Sequence, residues 1–228
     1  MVAKYQQLKI GMIQFPGSNC DWDLIDAYQR HFGITVQVIW HQETDLPKLD
    51  GLLIPGGFSF GDFLRSGCLA AHSNIMASVK TYAKKGGAIL GICNGFQVLT
   101  ESHLLPGALI QNDCGTFVCR GLSLSPCEGD SGYHKLISDK DSLSIPVAHA
   151  DGRYVIFGDE RKKLLDQGQV LFSYEDNPNG SVDSIAGVVS ENGRIVGMMP
   201  HPERATDLLM GSSEDGRIIL KAFLESCF

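Results

Sequence analysis

Ala88-Ile89-Leu90-Gly91-Ile92-Cys93-Asn94-Gly95-Phe96-Gln97 passes from an apolar run into a polar turn with no linker between them. Residues 88–92 read as a strand apolar on both faces, and Phe96, Val98 and Leu99 begin a helix directly behind Cys93. The thiol therefore falls at a strand-to-helix corner. Gly91 and Gly95 stand two residues to either side of it, the spacing of a nucleophile elbow, in which the tight turn leaves no room for a Cβ at the flanking positions. At the start of a helix, unpaired backbone N–H groups and the macrodipole favour a thiolate. Gly-x-Cys-x-Gly by itself also fits α/β proteins that use the thiol for redox sensing or peptide hydrolysis, and a free cysteine is commonly just packed in a core.

Upstream of this corner, Leu8 to Gln14 reads as a strand broken by Pro16-Gly17-Ser18-Asn19. Trp22, Ile25, Gln29 and Phe32 then recur at helical spacing from Asp21 to Phe32, with Gly33 as the stop. Ile34 to Trp40 forms a second strand, and Gly51 to Ile54 a third, ended by Pro55-Gly56-Gly57. Cys68 to Lys84 reads as one long helix. Short strands apolar on both faces, alternating with helices, predict a doubly wound parallel sheet covered on both sides. Beyond about residue 115 the pattern changes to strands without evident helices between them: Thr116 to Leu124, Val147 to Phe157, Val170 to Tyr174, Ile185 to Ser190 and Ile195 to Met199. The last two are joined by Glu191-Asn192-Gly193-Arg194, a hairpin signal, and Glu214 to Glu225 closes the chain as an amphipathic helix. One domain over residues 1–228 is expected.

The totals set limits on function. Of 228 residues, 43% are apolar and 20% charged, enough for a sizeable core. A net charge of -7 with no run of Lys and Arg argues against nucleic acid as a partner. Met1 to Gln7 has no apolar stretch of signal length and no run is long enough to cross a membrane, so the cytoplasm is the expected compartment. Seven cysteines, an odd number, without an export signal suggest reduced thiols. With no C-x-x-C pair, no metal site is expected. Core packing is the expected role of Cys20, Cys68, Cys119 and Cys227.

A cysteine nucleophile needs a group to take its proton and return one to the leaving nitrogen. Of seven histidines, His201 has the distinctive setting, Met198-Met199-Pro200-His201-Pro202-Glu203-Arg204, following a strand and bracketed by prolines. In an extended run residues 201 and 203 point the same way, so Glu203 can hold one imidazole nitrogen and leave the other for the thiol. His149 is left open. An oxyanion would be met by the backbone N–H of Asn94 and by a second loop at the same sheet edge. Pro55-Gly56-Gly57-Phe58-Ser59-Phe60-Gly61 is the candidate, through Gly57, although its glycines equally suit a turn without chemistry.

Gly-Ile-Cys-Asn-Gly-Phe-Gln at 91–97, Pro-Gly-Gly-Phe-Ser-Phe-Gly-Asp at 55–62, Asn-Pro-Asn-Gly-Ser at 177–181 and Met-Met-Pro-His-Pro-Glu-Arg at 198–204 together resemble class I, triad-type glutamine amidotransferases. Within that class they resemble the branch serving phosphoribosylformylglycinamidine synthase in de novo purine synthesis. The resemblance spans essentially the whole chain. It implies a flavodoxin-like α/β fold with a mostly parallel central sheet and extra antiparallel strands in the C-terminal half. It also implies a Cys93-His201-Glu203 triad that hydrolyses the glutamine side-chain amide through a thioester, with Gln97 helping to bind glutamine. The ammonia would pass to a separate synthetase subunit, with a small accessory subunit in the complex. No cofactor is expected on this chain; ATP and Mg belong to the synthetase partner. Asn177 to Ser181 is placed at the site mouth or the partner interface. Two positions depart from the pattern: Gly121 follows Cys119-Arg120 where an aromatic residue is usual, and Asp151 stands where Glu is usual.

Overall fold

The computed structural model describes residues 4–209, 211 and 213–228; the first three residues of the Met1 to Gln7 stretch lie outside them. Along the chain run β1 (Ile10–Gln14), α1 (Asp21–Phe32), β2 (Gln37–Trp40), β3 (Gly51–Ile54), α2 (Cys68–Ala71), α3 (Met76–Lys84), β4 (Ala88–Ile92) and α4 (Asn94–Glu101). The second half adds β5 (Ala108–Ile110), β6 (Val118–Pro126), α5 (Gly132–Ile137), β7 (Leu143–His149), β8 (Arg153–Val155) and α6 (Gly158–Asp166). It ends with β9 (Val170–Tyr174), β10 (Ile185–Val189), β11 (Ile195–Met198) and α7 (Gly216–Ser226).

Nine strands form one sheet in the order β2-β1-β3-β4-β11-β10-β9-β6-β7, and β5 pairs with β8 apart from it. The five strands from β2 to β11 are mutually parallel. From β11 onward the pairings are antiparallel. This is the expected α/β sheet with a parallel half and an antiparallel extension.

The central strands are apolar throughout because helices cover both faces. A Cβ on Gly51 of β3 would lie 2.7 Å from the Phe223 ring of α7, and one on Gly197 of β11 would run into the Phe96 ring of α4. Leu52, Leu53, Ile89, Leu90 and Val196 are wholly buried between these layers, each contributing roughly 1.5–3 kcal/mol of hydrophobic stabilisation. Gly33 stops α1 as expected, in the left-handed region at φ 67°, where its N–H bonds to Gln29.

Several expectations need correction. The segment from Cys68 to Lys84 is two helices, parted at His72 to Ile75. The second half contains α5 and α6, which a search for apolar periodicity passes over because only Leu164 is buried in α6 and α5 is six residues long. Val147 to Phe157 is two strands in different sheets, divided by the turn at 150–152. Cys119 is exposed rather than packed.

Candidate active site

Parallel strands deliver their C-terminal ends to one edge of the sheet. Cys93 follows β4 there, Pro55-Gly56-Gly57 follows β3, and Pro200-His201 follows β11. Register keeps them together, since Ile92 pairs with Met198 and Ile54 with Gly91. Cys93 adopts φ 50°, ψ -106°, a non-glycine strain that costs of order 1–3 kcal/mol. It is held there by its N–H to the Met198 carbonyl, 2.7 Å. Close packing of the corner explains the two glycines: a Cβ on Gly91 would lie 2.7 Å from the Gly95 carbonyl oxygen, and one on Gly95 would overlap the Ile54 carbonyl.

His201 Nδ1 lies 2.6 Å from Glu203 Oε1, and both side chains are buried. The geometry that brings them together is not the extended run expected from the sequence. Pro202–Arg204 is a single 3-10 turn that swings Glu203 back beneath the imidazole. The His201 N–H is tied to the Pro146 carbonyl at 2.8 Å, and a Cβ on Gly56 would sit 2.9 Å from His201 Cε1. His201 Nε2 and Glu203 Oε2 are buried without a hydrogen-bond partner. Burial opposes a charged imidazole, but the Glu203 carboxylate and then negative charge on the Cys93 sulfur outweigh it, holding His201 above its ordinary value. The nitrogen left free by Glu203 is thus the one available to the thiol.

Gly57 has φ 130°, a conformation open to glycine, and a Cβ there would strike the backbone of Asn19 and Gly17. Asn94 is the first residue of α4, so its N–H has no partner within the helix. Its side chain accepts from the Ser59 N–H at 3.2 Å and so couples the glycine loop to the helix start. Gln97, 4% exposed, has both ends of its amide engaged: Nε2 donates to the Asp151 carbonyl at 2.7 Å and Oε1 accepts from Asn94 Nδ2 at 2.8 Å. One amide hydrogen and one lone pair remain for a ligand.

Around Cys93 and His201 lie residues that motif spacing does not single out. The Ala148 carbonyl lies 3.6 Å from Cys93 Sγ. His149, left open from sequence, is buried beside the site, where burial and then the neighbouring His201 push it down to about 4, so it is neutral. Asp62 is pushed up to about 6 by burial and by the nearby Asp151 carboxylate. Cys20 is buried and accepts from Arg204 Nη2 at 3.1 Å, while Arg204 Nε reaches Asp23 at 3.0 Å. These contacts lock the histidine loop to α1. A cavity of about 830 Å³ walled by Leu105, Pro106, Val155 and Leu164 contains none of these groups.

Comparison with known proteins gives a consistent setting for this site. A family model described as "CobB/CobQ-like glutamine amidotransferase domain" matches residues 7–219. "Phosphoribosylformylglycinamidine synthase subunit PurQ" of Prochlorococcus marinus (strain NATL2A) is 46% identical over 217 residues, 95% of this chain and 100% of that protein. The protein of the same name from Leptospira interrogans is 46% identical over 220 residues, 96% of this chain and 100% of the relative. Among solved structures, a chain of "Structure of PurLQS from Thermotoga maritima" superposes with a TM-score of 0.87 at 36% identity, covering 96% of this chain and 98% of that one.

Proposed function

The chain belongs to the CobB/CobQ-like glutamine amidotransferase domain family, and from that premise we infer that it is the glutaminase subunit of phosphoribosylformylglycinamidine synthase in purine biosynthesis. Near-complete coverage of two PurQ relatives at 46% identity supports this reading. In the reaction, Cys93 sulfur attacks the side-chain amide carbon of glutamine while His201 takes the thiol proton. The oxyanion is met by the backbone N–H groups of Gly57 and Asn94. His201, oriented by Glu203, then gives its proton to the departing nitrogen, leaving ammonia and a γ-glutamyl thioester. Water cleaves the thioester to glutamate and restores the thiol. Gln97 contributes to the surface on which glutamine lies.

The observation that carries the catalytic roles is the buried His201-Glu203 pair, with one imidazole nitrogen free, beside a cysteine strained at the end of β4. The ammonia goes to a synthetase subunit that carries the ATP and Mg chemistry and converts formylglycinamide ribonucleotide to formylglycinamidine ribonucleotide, with a small accessory subunit in the same complex. We place the assembly in the cytoplasm, a setting that suits seven free cysteines. No helix among the described residues is long and apolar enough to cross a membrane.

The test is reconstitution with the cognate synthetase, accessory subunit and ATP, following nitrogen from amide-labelled glutamine. Label in formylglycinamidine ribonucleotide, lost in Cys93→Ala and His201→Ala, is the expected result. Glutamine cleavage without transfer to that acceptor would sink the assignment to this synthase.

A further inference from the structure

Within Asn177-Pro178-Asn179-Gly180-Ser181, Asn177 is exposed, whereas Asn179 is wholly buried and Ser181 nearly so. Asn179 uses both ends of its amide. Oδ1 accepts from the Ser181 N–H at 3.0 Å and from Ser181 Oγ at 2.7 Å, which closes the loop on itself. Nδ2 donates outward to the Gly152 carbonyl at 2.8 Å and lies 3.5 Å from His149 Nε2. The turn it reaches, residues 149–152, is gripped from its other side by Asn112. Asn112 Oδ1 accepts from Gly152 N–H at 3.0 Å and faces His149 Nδ1 at 3.1 Å, while Nδ2 donates to the His149 carbonyl at 3.0 Å. The Asp113 N–H in turn donates to the Asn179 carbonyl at 3.1 Å, closing the frame.

Two carbonyls face the site here, Ala148 at the end of β7 against the Cys93 thiol and Asp151 of the turn against Gln97 Nε2. We propose that Asn179 is a positioning residue for glutamine cleavage: clamped between Asn179 and Asn112, the 149–152 turn holds Gln97, and the Ala148 carbonyl that directly precedes the turn, in register with Cys93. A buried amide with both ends bonded is costly to leave half-satisfied, so the clamp specifies one position for the turn. The proposal rests on the glutaminase reading above.

The experiment compares Asn179→Ala with Asn177→Ala in the assembled complex. Asn177 is a structural control within the same loop: its Oδ1 accepts from the N–H groups of residues 179, 180 and 181, and its side chain makes no bond to the turn. Melting temperature, glutamine KM and kcat, and synthesis from ammonium salt are measured for each. Both variants are expected to melt earlier and to retain ammonium-dependent synthesis, while only Asn179→Ala raises the glutamine KM, by at least tenfold. If Asn179→Ala does not fold, Asn179→Asp substitutes for it, since it keeps the acceptor for Ser181 and loses the donor to Gly152. A KM within twofold of the parent, or an equal rise in Asn177→Ala, overturns the proposal. If the parent complex does not cleave glutamine, it is the functional reading that fails. The clamp is then judged by amide hydrogen exchange at residues 149–152, which must quicken in the Asn179 variant and not in Asn177→Ala.

Discussion

His201 Nδ1 and Glu203 Oε1 are 2.6 Å apart in a pocket where each side chain is 1% exposed, so the histidine's affinity for a proton is set by burial, which lowers it, against the Glu203 carboxylate and Cys93, which raise it. Replacing Glu203 with Gln keeps the shape and removes the charge. The raising influence of Glu203 on His201 is lost, burial gains the upper hand, and the imidazole holds its proton less tightly. Expected consequences are a fall in the imidazolium titration point by NMR and a drop in glutamine hydrolysis of about 10²-fold or more, the scale of lost general acid–base assistance. Unchanged titration and rate in Glu203→Gln would remove Glu203 from the mechanism.

Gly95 and Gly132 offer a paired test of the corner. A Cβ on Gly95 overlaps the backbone carbonyl of Ile54, whereas one on Gly132 meets nothing within 4 Å. Gly95→Ala is expected to lose about 3 kcal/mol or more in urea unfolding, within the range of overpacked cores and strained backbone. Gly132→Ala is expected to be neutral or up to about 1 kcal/mol more stable. Equal midpoints for the two variants would mean that the corner is not close-packed.

His149 makes stability depend on acid. Its folded value is pushed down to about 4 by burial and His201, against about 6.5 in an unfolded chain. The unfolded state therefore binds more protons between these values, and stability, complete above about pH 6.5, falls as the pH drops toward 4. The loss between pH 6.5 and 5 is about 2 kcal/mol at 1.4 kcal/mol per unit. His201, raised rather than lowered, acts in the other window, as the pH rises above about 6.5. Urea unfolding of the parent and His149→Gln at pH 6.5 and 5 checks this, and the pH 5 penalty is expected to shrink in the variant.

Asp62 is expected to destabilise the neutral protein. Burial and Asp151 raise it to about 6, so the ionised form is disfavoured in the fold. Stability from this group is present at low pH and is lost as pH rises through 6. Asp62→Asn removes that cost and suits the left-handed φ of 56° at this position. Because the side chain is half exposed, screening reduces the gain to about 1 kcal/mol at pH 7, and it is expected to diminish below pH 5. A variant no more stable than the parent at pH 7 would argue against carboxylate repulsion here.

Much of this molecule follows from order along the chain. Apolar runs of five residues punctuated by Gly and Pro specify a covered parallel sheet, and such a sheet must bring the residues following β3, β4 and β11 to one edge. Cys93, Gly57 and His201 were legible for that reason. So was the need for glycine around Cys93, because a tight corner excludes Cβ atoms whatever surrounds it. The antiparallel half was less legible. Helix α5 is only six residues long and α6 buries only Leu164, so neither leaves a strong period, and one apolar stretch hides two strands that turn into separate sheets. Tertiary structure alone decided how Glu203 reaches His201, through a 3-10 turn rather than an extended run. It alone brought His149, Asn112 and Asn179 together. Their side-chain contacts with one another span 37 and 30 positions in sequence, and a side-chain amide or imidazole has no periodicity by which its partner can be read. Burial, which sets the charge of His149 and Asp62, likewise comes into being only when the strands and loops have closed around them.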